Sequence, residues 1–355
     1  MTTPTPQSPE HPPRTDLDVL IVGAGISGIG AACYLGSRSP GRSFAILEGR
    51  EEIGGTWDLF RFPGIRSDSD LFTFGFAFKP WRSARSIAAA DLILEYLHET
   101  VAEHDLGRHI RFGHRVTAAR WSSEDARWTV TAQRAGGGAV ELTCRFLFAG
   151  TGYYDYAQGF TPRFEGVEEF GGPVIHPQFW PEDLDYAGKR VVIIGSGATA
   201  VTILPAMAET AGHVTMLQRS PSYMLSLPAE DPVFKALKPI VGLRRAYRVT
   251  RRKNIFVQRA IYRLSQRYPR VVRRVLMADA RRRLPKGFDV ATHFNPTYDP
   301  WTSGCAWCPT ATCSRPSATG RRRSSPTAST GSPPTGSGWP RAVSWRPTSS
   351  SRRRA

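Results

Sequence analysis

The stretch Leu17–Gly30, LDVLIVGAGISGIG, restricts the possible fold more than any other part of this 355-residue chain. A short apolar run, Val19–Val22, meets Gly23, Gly25 and Gly28, and a helix-like run follows to Leu35. In this strand–turn–helix form of G-x-G-x-x-G the first glycine permits the tight turn. The second lets a pyrophosphate approach the backbone, and the third lets helix pack on strand. The helix N-terminus then faces the anion. Glu48 closes a second apolar stretch, Phe44–Leu47, about twenty residues past the last glycine, where an acid grips a ribose hydroxyl. An acid there suits an unphosphorylated ribose, hence FAD or NAD. The alternative is a merely structural glycine turn.

A second unit of the same kind follows. Arg190–Ile194 reads as an apolar strand and Gly195-Ser196-Gly197-Ala198-Thr199-Ala200 as its turn. Ala200 replaces the third glycine, an accepted variant. A helix is expected to about Ala208, with Pro205 an awkward interior residue. The next strand, His213–Leu217, ends in Gln218-Arg219-Ser220 rather than in an acid. Arginine at that place suits a ribose 2′-phosphate, so Arg219 points to NADP, unless it is a solvated surface charge. The expected fold class is therefore α/β, with two Rossmann-like dinucleotide-binding domains.

Between the two turns lie a loop, Gly54–Asp70, and an irregular aromatic stretch, Leu71–Trp81. Asp91 is placed to cap an amphipathic helix running to about Val101. Three strands are expected at Ile110–Ala119, Trp128–Gln133 and Val140–Phe148, with Gly136–Gly138 as a turn. The sharp exit Ala149-Gly150-Thr151-Gly152 reads as a domain boundary. Ala236–Lys286 is basic and helical in pattern. It could hold an acidic membrane surface or nucleic acid. A solvated helical insert with arginines near cofactor phosphates is the preferred reading, because its aromatics fall at core-like spacings.

Net charge is +17, but nine of the positive charges follow Trp301, where there is no acid. This weakens any argument from charge for nucleic acid. Five cysteines in so long a chain suggest a reducing compartment, and a cytoplasmic location is expected. Met1–Thr15 is polar and proline-rich, as in a disordered leader. No uninterrupted apolar run reaches membrane-spanning length, so no integral membrane segment is expected.

From Thr302 the composition changes. The last 54 residues contain no Leu, Ile, Phe, Tyr, Met, Asp, Glu, Lys, Asn, Gln or His. Such a segment buries too little apolar surface to offset its ordering entropy, so a tail without stable structure is expected. Cys305, Cys308 and Cys313 imitate a metal site, but no metal is expected. Every abundant residue type here has G- or C-rich codons, as in GC-rich DNA read out of frame. Written in GC-rich codons with one G restored after the Trp301 codon, Trp301–Cys313 becomes W-DQRLCLVPDGDL, and Val343–Arg353 likewise becomes ELEADVVVTA, a buried-strand pattern. A frameshift at or just after Trp301 is the resulting expectation. The chain would then lack the return strands of the second nucleotide domain and the last strand and helix of the first.

Two further motifs complete a fingerprint. Phe170-Gly171-Gly172-Pro173-Val174-Ile175-His176-Pro177-Gln178-Phe179-Trp180-Pro181 fits F-x-G-x-x-x-H-x-x-x-W-P. Gly54-Gly55-Thr56-Trp57, Phe62-Pro63-Gly64 and Asp68 fit G-G-x-W-x-x-x-x-F-P-G-x-x-x-D. With both glycine turns in the family's order, the chain from about Asp16 to Trp301 resembles the type I Baeyer–Villiger monooxygenases, within the flavin-containing monooxygenases. The resemblance implies FAD held through Gly23, Gly25, Gly28, Glu48, Gly55, Thr56 and Trp57. It implies NADPH held through Gly195, Ser196, Gly197, Thr199 and Arg219. Reduced flavin would take up O2 at C4a, and the peroxyflavin would attack a ketone or oxygenate a soft N or S atom. Substrates would be small organic ketones, amines or sulfides.

Asp68 matches the family's active-site aspartate beside the flavin, and otherwise reads as a loop cap. His176 takes a cofactor-linked catalytic role, and otherwise reads as a structural histidine. The family's partner arginine is absent: it would be the R of DQR, and Thr302-Ser303-Gly304 stand in its place. The chain as written is thus expected to be inactive. A disulfide reductase is disfavoured, since Cys33 and Cys144 are lone cysteines. A basic binding protein is the non-enzymatic alternative. The expected divisions are a leader at 1–15, an FAD-binding domain at 16–155 and an NADP-binding domain at 156–235. A basic helical insert at 236–290, the start of a return segment at 291–301 and the tail at 302–355 follow.

Overall fold

In the computed structural model, which describes residues 15–301, 305–309 and 341–345, the first glycine turn lies inside a parallel β–α–β crossover. β1 (Thr15–Val22) leads through α1 (Ile26–Arg38) to β2 (Phe44–Leu47). The first strand starts at Thr15, inside the stretch expected as leader; residues 1–14 lie outside the described part. After α2 (Ala90–Glu103) come β3 (Ile110–Arg111), β4 (His114–Ser122), β5 (Arg127–Arg134) and β6 (Ala139–Ala149). The sheet order is β3-β2-β1-β6-β5-β4, parallel from β3 to β6 and antiparallel through the β6–β5–β4 meander. Val22 pairs with Leu47 on one side and Ala149 on the other, so three strand ends meet where the turn begins.

Side chains of these strands build the core, and the central β1 and β2 are buried at consecutive positions, as in a parallel sheet covered on both faces. Leu17 and Leu20 of β1, Ala45 and Leu47 of β2, Val130 and Ala132 of β5, and Leu142 and Cys144 of β6 form one buried cluster. Two local expectations need correction. The run Ile110–Ala119 is two strands, because Gly113 turns with φ +62° between them. Asp91 is not the cap of α2, which starts one residue earlier at Ala90; it lies within the first turn, where its charge still favours the helix N-terminus.

The second glycine turn lies between β7 (Arg190–Ile194) and α3 (Ala198–Met207), which lead to β8 (His213–Gln218) and β9 (Tyr223–Leu227). Three helices follow: α4 (Pro232–Val241), α5 (Leu243–Arg267) and α6 (Pro269–Arg283). α4 starts sharply because Asp231 accepts the N–H groups of Val233 and Phe234, with Pro232 in the first turn. The expected core-like aromatics of this region are a correction: Tyr247 is buried, but Phe256, Tyr262 and Tyr268 are exposed.

The chain packs as two compact units, Met1–Phe60 with Ala90–Gln178, and Arg61–Ala89 with Phe179–Ala355. The expected division at residue 155 therefore differs from the packing on two counts. The first unit continues to Gln178, and Arg61–Ala89 belongs to the second. The excursion is held there by specific bonds. The Arg251 guanidinium donates to the carbonyls of Phe72, Thr73 and Gly75 at 2.6, 3.0 and 2.8 Å. The buried Asp70 carboxylate accepts from Asn254 and Gln258 at 2.8 and 2.6 Å and caps Thr73 N–H at 3.0 Å.

Two stretches of the expected unstructured tail are strands. β10 (Cys305–Pro309) pairs in parallel with β9, and β11 (Arg341–Trp345) pairs antiparallel with β8. Strand pairing uses main-chain groups, so an open sheet edge accepts a segment whose side chains could not build a core. Cys305 and Cys308 lie on β10, and Cys313 lies outside the described residues. Among the described residues no group of His, Cys, Asp or Glu is arranged to hold a metal ion.

Candidate cofactor sites on the two units

Geometry explains why the first turn requires its glycines. Gly23 sits at φ +97°, and a Cβ there would stand 2.6 Å from the Gly150 carbonyl oxygen. A Cβ on Gly28 would stand 1.9 Å from the Gly23 carbonyl oxygen. The turn is thereby pressed against the end of β6, where Gly150 N–H donates to Val22 at 2.8 Å. In the second unit the constraint relaxes. Gly195 still needs glycine for its backbone, at φ +139°, but a Cβ there would lie 3.7 Å from the Ala200 Cβ, an ordinary contact.

α1 and α3 both begin on a glycine, Gly25 and Gly197, with no side-chain cap and no acid in the first turn. The short helices Leu71–Phe74 and Val290–His293, like α4, are each capped by an aspartate. The two glycine-turn helices therefore keep first-turn N–H groups directed at an approaching anion.

Glu48 is buried and works on the turn itself. Its Oε2 accepts the Ala24 N–H at 2.7 Å, and its Oε1 accepts the Arg50 N–H at 3.0 Å. Each oxygen keeps a lone pair for a ribose hydroxyl. Gly55 approaches the turn from the other side: a Cβ there would stand 3.3 Å from Gly25 Cα and 3.3 Å from the Tyr156 hydroxyl. This leaves a backbone-lined cradle that a side chain would fill, which fits a bound pyrophosphate. Thr56 and Trp57 begin the one-turn helix after Gly55 and are half-buried.

Two residues of this site were not singled out from the sequence. Burial pushes the Tyr156 hydroxyl above the usual phenol range; a hydrogen bond with Thr56 opposes the rise, Glu48 adds to it and Arg50 opposes it. Tyr156 thus stays a neutral donor at the edge of the cradle. Arg50 pairs with buried Asp58 at 2.6 Å. The only sequence sign of either was proximity: Arg50 follows Glu48 by two residues, and Tyr156 follows the glycine exit of β6.

His176 lies in the first unit, with its ring against the backbone of Gly159: a Cβ there would stand 2.2 Å from His176 Cε1. Its Nδ1 accepts the Gln178 N–H at 3.2 Å, which in the neutral ring puts the proton on Nε2. Gln178 in turn donates to the Asp155 carbonyl at 2.6 Å.

In the second unit Gly195 N–H donates to the Leu217 carbonyl at 2.8 Å, so the turn abuts the end of β8. Ser196 Oγ donates to the Ser220 carbonyl at 2.8 Å, linking the turn to the loop that carries exposed Arg219. Thr199 is half-buried near the start of α3. The Phe62-Pro63-Gly64 loop rests on the same helix: a Cβ on Gly64 would meet the Ala206 Cβ at 2.9 Å and the Thr202 carbonyl at 3.2 Å. Asp68, four residues on, is exposed and accepts from Ser69 Oγ at 3.4 Å. Burial lowers the neighbouring Arg66 guanidinium from its usual value, and the Asp68 charge opposes that. The predicted site residues thus divide between the units: Glu48 and Trp57 belong to the first and Asp68 to the second.

The family models that match are an NAD(P)-binding Rossmann-like domain over residues 21–87 and a flavin-binding monooxygenase-like model over residues 86–235. The FAD-containing monooxygenase EthA of Mycobacterium tuberculosis is 53% identical over 286 residues, 80% of this chain and 58% of its own length. The probable FAD-binding monooxygenase AlmA of Acinetobacter baylyi is 51% identical over 286 residues, 80% of this chain and 57% of its own. Among solved structures, OTEMO in complex with FAD and NADP has a TM-score of 0.67 at 27% identity, over 84% of this chain and 63% of that one. An oxidised steroid monooxygenase bound to NADP has a TM-score of 0.56 at 35% identity, over 67% and 44%. The chain spans little more than half the length of the curated relatives it matches.

Proposed function

The matched part of this chain belongs to the flavin-dependent monooxygenase family, and on that premise we propose that the protein consumes NADPH and O2 to insert one oxygen atom into a small ketone, the Baeyer–Villiger reaction. The observation that carries this reading is the pair of glycine turns whose helices begin without a capping side chain, one in each unit. Bound FAD would supply the redox chemistry and the activation of O2. The turn Gly23–Gly28 and the cradle of Gly55, Thr56 and Trp57 would hold its pyrophosphate, and Glu48 its ribose. Tyr156, kept protonated by burial, would donate at the cradle's edge. Gly195, Ser196, Gly197 and Thr199 would hold the NADPH pyrophosphate, and Arg219 the 2′-phosphate. Asp68 is assigned to the reacting centre as its carboxylate, and His176 to holding the cofactor-side linker.

Purified protein is expected to be yellow and to oxidise NADPH faster than NADH. With ketones, oxygen uptake by the protein repaired in frame after Trp301 is expected to match ester formed. Oxidation of amines or sulfides without ester would assign heteroatom oxygenation instead, and absence of flavin binding would overturn the reading. The composition after Thr302 supports a second proposal, that the frame is displaced at or just after Trp301. Repairing it would restore an arginine able to stabilise developing negative charge. The repaired protein is expected to give oxygenated product and the written one none; equal turnover, or an intact gene with no base missing, would refute this.

A further inference from the structure

We propose that the outer face of α5 is a docking surface for an anionic phospholipid bilayer, which the protein binds peripherally. From Leu243 to Arg283 fifteen residues are basic and Asp279 is the only acid. Some of these cations face inward. Arg251 holds the 71–76 segment, Lys253 pairs with Asp231 at 2.6 Å, and Arg273 donates to Asn295 at 2.7 Å. The helix docks through Ala246, Tyr247, Thr250 and Ser265, which are buried.

The opposite face is a ladder. Arg245, Val249, Arg252, Phe256, Arg259 and Arg263 follow one another at spacings of three or four, so they share one side of the helix. All six are exposed, and Phe256 is 73% exposed. At 1.5 Å per residue the ladder is about 27 Å long. α6 continues the composition, with exposed Val271 and Val275 beside Arg270 and Arg274.

Charge complementarity calls for a polyanion, and the apolar residues decide which. A phosphate backbone offers Phe256 and Val249 nothing to enter. A bilayer accepts both: the arginines meet headgroup phosphates while the apolar side chains sink to the acyl boundary. No acid on α5 opposes the field, and the described residues include no helix long and apolar enough to cross a membrane. The surface therefore suits adsorption, not insertion.

The test is flotation of the full chain with vesicles of phosphatidylcholine alone and of phosphatidylcholine mixed with phosphatidylglycerol, at low and high salt. Binding to the anionic vesicles only, weakened by salt, is expected. Replacing three arginines, Arg252→Gln, Arg259→Gln and Arg263→Gln, should lower partitioning about a hundredfold, at about 1 kcal/mol for each charge near the surface. Phe256→Ser should lower it about tenfold. These positions are exposed, and unchanged far-ultraviolet circular dichroism shows that the variants fold. Failure to float, equal flotation with neutral vesicles, or full binding by both variants would overturn the proposal. A salt-sensitive shift of oligonucleotide without flotation would also overturn it, assigning the face to nucleic acid.

Discussion

Replacing Glu48 by glutamine separates support of the turn from recognition of a ligand. The carboxylate is 5% exposed and accepts two backbone N–H groups, one from Ala24 inside the glycine turn and one from Arg50 beyond β2. Glutamine keeps the shape but has one acceptor oxygen. Its NH2 must then face the second N–H, donor against donor. One charge-assisted bond is lost and a buried donor is left unsatisfied, at about 1.5–3 kcal/mol. At about 2–4 °C per kcal/mol for a unit of this size, the unfolding temperature should fall by roughly 3–12 °C. The assay is thermal unfolding of flavin-free protein followed by circular dichroism, beside FAD titration by fluorescence quenching. Both stability and affinity should drop. If flavin-free Glu48→Gln melts with the parent while FAD affinity alone falls, the carboxylate serves the ligand and does not hold the turn.

Gly28→Ala should abolish retained flavin, since its Cβ would stand 1.9 Å from a carbonyl oxygen, whereas Ala200→Gly in the second turn should cost at most about 1 kcal/mol; flavin absorbance and melting temperature check the pair. Asp70→Ala removes a helix cap and strands the amides of Asn254 and Gln258, so chemical denaturation should show a loss of about 2–4 kcal/mol, partly recovered by Asp70→Asn. Burial raises the Cys144 thiol above its ordinary value, with Asp16 adding to the rise. The raised value in the folded state means its contribution is whole below the unfolded thiol pKa and declines as pH climbs through the folded one. Cys144→Ala should flatten that alkaline decline in urea midpoints.

Both nucleotide units were legible because their signals are local: a strand, a glycine turn and a helix within about thirty residues. Strand ends were harder, as at Gly113, where one backbone conformation splits a continuous pattern. The excursion 61–89 was not legible as part of the second unit. Its anchors, Arg251, Asn254 and Gln258, lie more than 170 residues away and have no local signature in the loop. Aromatic spacing in α5 misled, because a period of three or four marks any single face, buried or exposed; Tyr247 and Phe256 lie on opposite sides of one helix. Tyr156 was missed because its role depends on meeting Gly55 and Thr56 from a distant segment. The strands after Trp301 were missed because pairing at an edge asks little of side chains.

The passage of residues 61–89 out of one unit and back means that the backbone changes body three times, after Phe60, Ala89 and Gln178. No single cut therefore yields either body whole. A fragment ending near residue 155 would carry a stray piece of its neighbour and forfeit His176 and Gln178 of its own. Dissecting this protein calls for a spliced gene, with 61–89 replaced by a short linker in one product and grafted onto 179 onward in the other.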